Sequence, residues 1–106
     1  MDTETALAAF EALSQETRLA VIRLLVKAGP AGLPAGTIAE QLDCRQNTMS
    51  SHLQSLKRAG LIDAVRDGRS IRYSANYEGV RTLIQFLMED CCADSACTPS
   101  AWELAK

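Results

Sequence analysis

The sequence predicts a mainly α-helical fold with one small β-hairpin. Two features of its residue pattern support this prediction. Apolar residues recur at helical spacing through most of the chain, while two short strand-like runs flank an Asp67-Gly68 pair. A chain of 106 residues is long enough for one domain with a modest core. Its 47% hydrophobic and 23% charged residues are typical of soluble globular proteins.

The N-terminal part of the chain predicts three helical segments. The stretch "TETALAAFEAL" is a short helix with Thr3 or Thr5 as its cap. The next stretch, "SQETRLAVIRLLVKAG", begins at Ser14 and ends at Gly29-Pro30, a strong stop signal. A loop of Gly, Pro, Ala and Leu follows, and "TIAEQLD" then forms a short helix.

The segment "CRQNTMSSHLQSLKRAGLI" predicts a helix with two different faces. Met49, Leu53 and Leu56 are spaced i, i+4 and i+7 and form one narrow apolar stripe. The opposite face carries small hydrogen-bonding groups and a cation: Asn47, Ser50, Ser51, Gln54 and Arg58. Such a face is either a solvated surface or, after a short preceding helix, the second helix of a helix-turn-helix that enters the major groove of DNA.

The segment "LIDAVRDGRSIRYSA" predicts a β-hairpin whose turn centres on Asp67-Gly68. Its tip and edges carry Arg66, Arg69 and Arg72. A basic hairpin directly after a helix-turn-helix corresponds to a wing, which contacts the sugar-phosphate backbone beside the groove. The fold class that follows is a winged helix-turn-helix.

The charge distribution favours nucleic-acid binding although the net charge is -2. Residues 45–73 contain six Lys or Arg against two Asp, which gives a local charge of +4. Residues 1–44 and residues 74–106 each carry a charge of -3. A basic centre therefore lies between two acidic flanks, and the centre coincides with the predicted DNA-reading elements.

The segment "NYEGVRTLIQFLMED" predicts a last helix with an apolar stripe of Val80, Leu83, Ile84 and Leu87. This stripe packs either on the chain's own core or on a second copy. We expect a homodimer, because DNA readers of this size usually need two half-sites about 34–36 Å apart. The N-terminus is acidic, unlike a signal peptide, and no apolar run is long enough for a membrane span, so we expect a cytoplasmic protein.

These segments resemble the ArsR/SmtB family of winged-helix metal-sensing repressors, from about Ala9 to Asp90. The resemblance rests on "ALSQETRLAVIRLL", "TMSSHLQSLKRAGLI" and "RDGRSIRYS", which stand in the family's order and spacing. It implies a homodimer that binds double-stranded operator DNA and represses transcription until a metal or metalloid binds and lowers its affinity for DNA. We expect residues 1–90 to form the DNA-binding and dimerisation domain and residues 91–106 to form a cysteine-bearing tail.

The resemblance assigns DNA contacts to two elements. The recognition-helix positions are Gln46, Asn47, Thr48, Ser50, Ser51 and His52, and the wing positions are Arg66, Arg69 and Arg72. His52 lies close to the apolar stripe, so packing or a phosphate contact is as well supported as a base contact. Arg45 stands where family members often have a Ser helix cap, so we expect the cap at Asp43 or Cys44.

The family's effector sites vary; one common site is absent from this sequence, and a second has little support. A Cys-x-Cys before the recognition unit would fall in "LPAGTIAEQ", which has Pro34 and Gly36 instead. A zinc site of Asp and His pairs on the last helix has little support, because that helix has no His. The thiols near the C-terminus, Cys91, Cys92 and Cys97, remain as candidates.

These three thiols predict an effector site for arsenite, As(III). We expect no cofactor besides this effector. Trivalent arsenic and antimony are soft and bind three sulfurs in a pyramid. Adjacent Cys91 and Cys92, with Cys97 across the short polar loop "ADSA", can supply that geometry. The same chemistry extends to antimonite and to trivalent methylarsenicals. The pattern also resembles arsenic-sensing family members that have a C-terminal Cys-Cys and a following Cys.

The thiols could also be an accidental feature of the tail, form a disulfide, or act as a redox or persulfide sensor. Adjacent cysteines make a strained disulfide ring, and the cytosol is reducing. The helix end and the nearby Glu89, Asp90 and Asp94 disfavour a thiolate, whereas redox-sensing thiolates need positive surroundings. Bound metalloid displaces the thiol proton itself, so the arsenite hypothesis does not need a preformed thiolate.

An enzyme such as an arsenate reductase is the remaining class of function. It would need an activated cysteine with an anion-binding loop at a helix N-terminus, whereas the C-terminal cysteines follow a predicted helix end. The fourth cysteine, Cys44, precedes the recognition helix, and we expect it to be a small buried hydrophobe. We therefore expect a repressor and no catalytic residues.

Overall fold

The computed structural model describes residues 1–89. Within this range the elements follow one another as α1 (Thr3–Leu13), α2 (Glu16–Ala28), β1 (Leu33–Pro34), α3 (Ala35–Gln41), α4 (Gln46–Arg58), β2 (Ile62–Asp67), β3 (Ser70–Ala75) and α5 (Tyr77–Met88). The helices, the tight link between α3 and α4, and the hairpin that follows confirm the predicted winged helix-turn-helix. The predicted tail, residues 91–106, lies outside the described residues.

The first two helices begin at caps that differ from the predicted ones. Asp2 caps α1, because its carboxylate accepts a hydrogen bond of 2.7 Å from the backbone N–H of Thr5. Gln15 caps α2, and its Oε1 accepts from the N–H of Arg18 at 2.8 Å. Ser14, predicted to open α2, instead ends α1, where its hydroxyl donates to Glu11 O.

The cap expected for α4 at Asp43 or Cys44 was also wrong. Arg45 occupies the N-cap position, and no side chain caps this helix. Asp43 has a φ of 50° and reverses the chain directly after α3, while the N–H of Cys44 donates to Ala39 O at 2.9 Å. Both residues are thereby used to close the turn between the two helices, so the extended position falls on Arg45.

The apolar stripe of α4 lies in the centre of the core, as predicted. Met49, Leu53 and Leu56 are all buried there. The other large, fully buried side chains come from α2, α3, the α4–β2 turn and the start of β2, namely Val21, Leu25, Ile38, Leu61 and Ile62. Helices α1, α2 and α3 and strand β2 pack against the recognition helix. Its apolar side cannot rotate outward without exposing these side chains to water.

The sheet has three antiparallel strands in the order β1-β3-β2, and its short strand β1 was not predicted from the sequence. Leu33 pairs with Tyr73 and Pro34 with Arg72, in a stretch predicted as a loop. Proline is tolerated because β1 is an edge strand. Gly32, with a φ of 68°, brings the chain against the Tyr73 backbone so closely that an added Cβ would overlap the Tyr73 carbonyl.

The hairpin turn is shifted by one residue from its predicted position. Asp67 still belongs to β2 and pairs with Ser70, so Gly68 and Arg69 are the two turn residues. Gly68 has a φ of 64°, which suits the first central position of a type II′ turn. The shift puts Arg69 at the tip of the wing.

Helix α5 begins directly against the turn that ends α4. Asn76 caps it by accepting from the N–H of Gly79 at 3.0 Å, and the Asn76 N–H donates to Leu61 O at 2.9 Å. Gly79 lies so close to Gly60 that an added Cβ would overlap the Gly60 carbonyl oxygen. The start of α5 is therefore held by the backbone of the α4–β2 turn.

We expect two glycine substitutions in first helical turns to have opposite effects. Gly79→Ala should lower the free energy of unfolding by about 1–3 kcal/mol, because its methyl group meets a backbone carbonyl that cannot move aside. Gly36→Ala should raise it by up to about 1 kcal/mol, since the new Cβ lies 3.3 Å from only the mobile Gln46 side chain. Urea denaturation measures both, and equal stability of the two variants would contradict the close contact at Gly60.

Candidate nucleic-acid interface

Helix α4 presents a polar surface on the side that faces away from its buried stripe. The predicted contact residues on this surface are all exposed: Gln46, Asn47, Thr48, Ser50 and Ser51. They lie in the first two turns of the helix, the part of a recognition helix that reaches base edges in the major groove. Asn47 Oδ1 accepts from the Thr48 N–H at 2.9 Å, which leaves the amide nitrogen of Asn47 as a donor.

The charges around this surface suit a polyanion. Helix α4 has no acidic residue in its first turn, and Lys57 and Arg58 occupy its last turn. The exposed Arg45 stands immediately before its first residue. Cations therefore flank both ends of a surface built from small polar side chains, so the ends can bind phosphates while the middle remains open to bases.

His52 is half-buried at the border between this surface and the core. Its Nδ1 accepts a hydrogen bond of 3.2 Å from Nε of Arg18, a residue of α2. Burial lowers the pKa of His52 below its ordinary value of 6.5, and the Arg18 charge lowers it further. Within residues 1–89, His52 is thus the one predicted contact on α4 whose side chain is hydrogen-bonded to another helix.

The arginines of the wing fall into two groups. Arg66 and Arg69 are exposed, and neither makes a side-chain hydrogen bond within residues 1–89. Arg72 is half-buried, and its Nη1 donates to Gly32 O at 3.1 Å and to Ala31 O at 3.4 Å. Its Nε also lies 3.5 Å from Asp67 Oδ2. Arg72 therefore braces the wing against the loop before β1, a role that its position in the sequence did not indicate.

The cross-strand register explains this division. Arg72 lies opposite Val65, and Arg66 lies opposite Ile71, so the two arginines point to opposite faces of the hairpin. Val65, opposite Arg72, is 63% exposed. At the tip, both faces of the wing are open to solvent, and Arg66 and Arg69 are the cations best placed to reach a phosphate.

The predicted effector residues Cys91, Cys92 and Cys97 lie outside the described residues. Within residues 1–89, no group of three or more His, Cys, Asp or Glu side chains could hold a metal ion. Cys44 is a free, half-buried thiol whose Sγ lies 3.6 Å from Arg45 O, so it is less buried than predicted. None of the described helices is long and apolar enough to cross a membrane.

The fold and this surface define a winged helix-turn-helix DNA-binding protein. Residues 13–65 match the family described as "Helix-turn-helix domain". An ArsR-like transcriptional regulator from Rhodococcus sp. RHA1 has a similar structure, with a TM-score of 0.71 and 30% sequence identity, covering 81% of this chain and 78% of that one. The chain belongs to the ArsR/SmtB family of transcriptional regulators, whose members bind DNA and are not enzymes.

A further relative and a further solved structure are similar to this chain. The cadmium resistance transcriptional regulatory protein CadC of Listeria innocua is 36% identical over 72 residues, which are 68% of this chain and 59% of CadC. A homodimeric winged helix-turn-helix domain from Mycobacterium bovis has a TM-score of 0.67 and 24% identity, and the match covers 82% of this chain and 81% of that one. The second likeness shows the fold.

Arg69→Ala should weaken binding to every DNA sequence alike, because we expect the wing tip to contact phosphate. One lost phosphate contact should flatten the dependence of log K on log salt concentration by about 1. Arg81→Ala is the matched control, since it removes the same charge from an exposed position on α5. Fluorescence anisotropy between low and moderate salt gives both slopes, and equal slopes for the two variants would contradict the assignment of Arg69.

Substitutions on α4 should change sequence preference instead. Asn47→Ala or Ser51→Ala should remove discrimination of about 1–3 kcal/mol at one base position while leaving the salt dependence unchanged. Competition between operator variants measures this preference. If the wing substitution altered sequence preference and the helix substitutions left it intact, the roles of the two elements would be reversed.

Proposed function

We propose that this protein is an arsenite-responsive transcriptional repressor. It binds operator DNA as a homodimer through α4 and the wing, and it releases the DNA when As(III) binds the thiolates of Cys91, Cys92 and Cys97. The observation that carries the proposal is the position of α5. This helix starts against the turn that ends the recognition helix and finishes at Met88, shortly before the cysteine pair.

The geometry of α5 supports communication between the proposed thiol site and the DNA-binding surface of α4. Its 12 residues form a rod of about 18 Å. At one end, Gly79 packs on the Gly60 backbone, and Asn76 is bonded to Leu61 O. A movement of the far end of the helix would be transmitted to this joint, because a close backbone contact leaves no soft side chain to absorb it.

Exposed leucines on α1 and α5 support the homodimer. Leu7 and Leu87 are each 62% exposed, and α1 and α5 pack against each other. Large apolar side chains exposed on neighbouring helices are typical of a surface that a second copy covers. A symmetric dimer would also present two recognition helices, which matches the need for two half-sites. The homodimeric Mycobacterium bovis domain, with its similar fold, agrees with this assembly.

The chemistry of the thiols supports a soft effector. Soft thiolate ligands select soft ions, and a set of three sulfurs near the chain end matches the coordination of trivalent arsenic and antimony. CadC, a relative with 36% identity, is a cadmium resistance regulator, and cadmium is likewise thiophilic. The proposal requires a compartment where thiols stay reduced, which is the cytoplasm.

The thermodynamic requirement is a difference in metalloid affinity between the DNA-bound and the released state. A ligand with equal affinity for both states shifts nothing. Moving the equilibrium from 99:1 to 1:99 needs about 5.5 kcal/mol of differential binding. A site of three thiolates can provide a coupling of this size if its closure displaces α5 in the dimer.

Cysteine substitutions test the site directly. Cys91→Ser and Cys92→Ser should leave DNA binding intact and abolish its release by arsenite, because each removes one of the three sulfurs. Cys97→Ser should blunt release by arsenite, while a trivalent methylarsenical, which needs two sulfurs, should still act. Operator release is followed by fluorescence anisotropy at increasing effector concentration.

Cys44→Ser is the matched control, since it removes the fourth thiol from a position between α3 and α4. This variant should respond to arsenite like the unaltered protein. Normal release from a Cys91→Ser, Cys92→Ser double variant would rule out the C-terminal site. Loss of the response only in Cys44→Ser would move the site to the recognition helix.

A further inference from the structure

Arg18 connects three helices without lying on the predicted DNA-contact surface. Its Nη1 donates to Ala12 O at 3.3 Å, near the end of α1, and its Nε donates to His52 Nδ1 at 3.2 Å on the recognition helix. Arg18 itself belongs to α2 and is half-buried. The guanidinium is therefore held from one side by a backbone carbonyl while it directs one N–H at the imidazole.

This hydrogen bond determines which ring nitrogen of His52 carries the proton. An arginine only donates, so Nδ1 must be the acceptor, and in the neutral ring the proton then resides on Nε2. Burial and the Arg18 charge both lower the pKa of His52, which favours the neutral ring. His52 is thus set up as a neutral donor through Nε2.

The Nε2 atom is not fully buried. It makes no hydrogen bond within residues 1–89, whereas every fully buried side-chain nitrogen or oxygen in the described structure has a hydrogen-bond partner. His52 also stands one helical turn after the exposed Thr48, so both belong to the same edge of α4. If α4 enters the major groove, an N–H at the edge of its exposed surface lies beside the sugar-phosphate backbone that borders the groove.

We infer that Arg18 is a positioning residue for DNA binding, which holds the His52 ring so that Nε2–H donates to a phosphate oxygen beside the major groove. The inference rests on the proposed use of α4 as recognition helix. A phosphate oxygen only accepts hydrogen bonds, so the opposite tautomer would turn a lone pair toward it and repel it. A half-buried ring at the edge of the helix also reaches the backbone of DNA more readily than its bases.

The tautomer can be measured without DNA, and His52 is the one histidine of the chain. Nitrogen-15 NMR of the imidazole, recorded above the pKa of the ring, should show a fully protonated Nε2 and an unprotonated Nδ1. In Arg18→Ala the two signals should move toward the average of a mixed population, and Arg18→Lys should restore part of the shift. A proton on Nδ1 in the unaltered protein would overturn the inference. Nitrogen signals in Arg18→Ala that equal those of the unaltered protein would also overturn it.

Two substitutions of His52 separate its two nitrogens in DNA binding. An asparagine side chain places an amide oxygen near the position of Nδ1 and removes the outer donor, so His52→Asn should bind DNA about tenfold more weakly. His52→Gln places an amide N–H near the position of Nε2 and should stay within about threefold of the unaltered protein. The salt dependence should be unchanged in both, because the donor is neutral and releases no counterion.

Equal weakening by both substitutions, or by neither, would overturn the role of Nε2. A flatter salt dependence in His52→Asn would also overturn it, since that result means a charged ring. Failure of the proposed function looks different: the unaltered protein and Arg69→Ala would then bind DNA equally poorly. In that case the NMR measurement still decides the tautomer.

Discussion

The structure depends on the burial of one narrow stripe on the recognition helix. Met49, Leu53 and Leu56 are almost completely enclosed, and side chains from α2, α3 and β2 pack around them. Because a helix has a fixed angular spacing, burying this stripe also determines which side chains face outward. The polar surface of α4 is therefore as well defined as the core, and DNA meets a surface whose orientation the packing has already set.

The remaining contacts determine how other parts of the protein act on that surface. At the C-terminal end of α4, the Gly60 backbone receives Gly79, which ties α5 to the recognition helix. Near its middle, His52 receives a hydrogen bond from Arg18 of α2. Arg72 braces the wing against the loop before β1. Each contact involves backbone or a half-buried polar group, so each can transmit a displacement that a flexible surface side chain would absorb.

The sequence predicted those parts of the fold that depend on local periodicity. The stripe of α4, the hairpin and the long helices were all found, because each leaves a repeat within a dozen residues. Strand β1 was missed, since two residues pair with a strand about forty positions away, and the position of Leu33 has no local signal. Arg18 and Arg72 were not recognised as structural partners for the same reason: their contacts span 34 and 40 residues. The predicted caps of α1 and α2 lay one to three residues from the observed caps, Asp2 and Gln15. Several neighbouring polar residues can cap a helix start, so the sequence alone does not select one of them.

We propose that a thiophilic metalloid controls the DNA affinity of α4 and the wing. The most direct measurement is a gel-shift on the DNA upstream of the protein's own gene, with arsenite, antimonite, zinc and peroxide added separately to the complex. We expect arsenite and antimonite to release the DNA at low concentration, whereas zinc and peroxide should leave the complex intact. Release by peroxide alone would contradict the claim and identify a redox sensor, and retention of DNA under all four additions would identify a repressor without this effector.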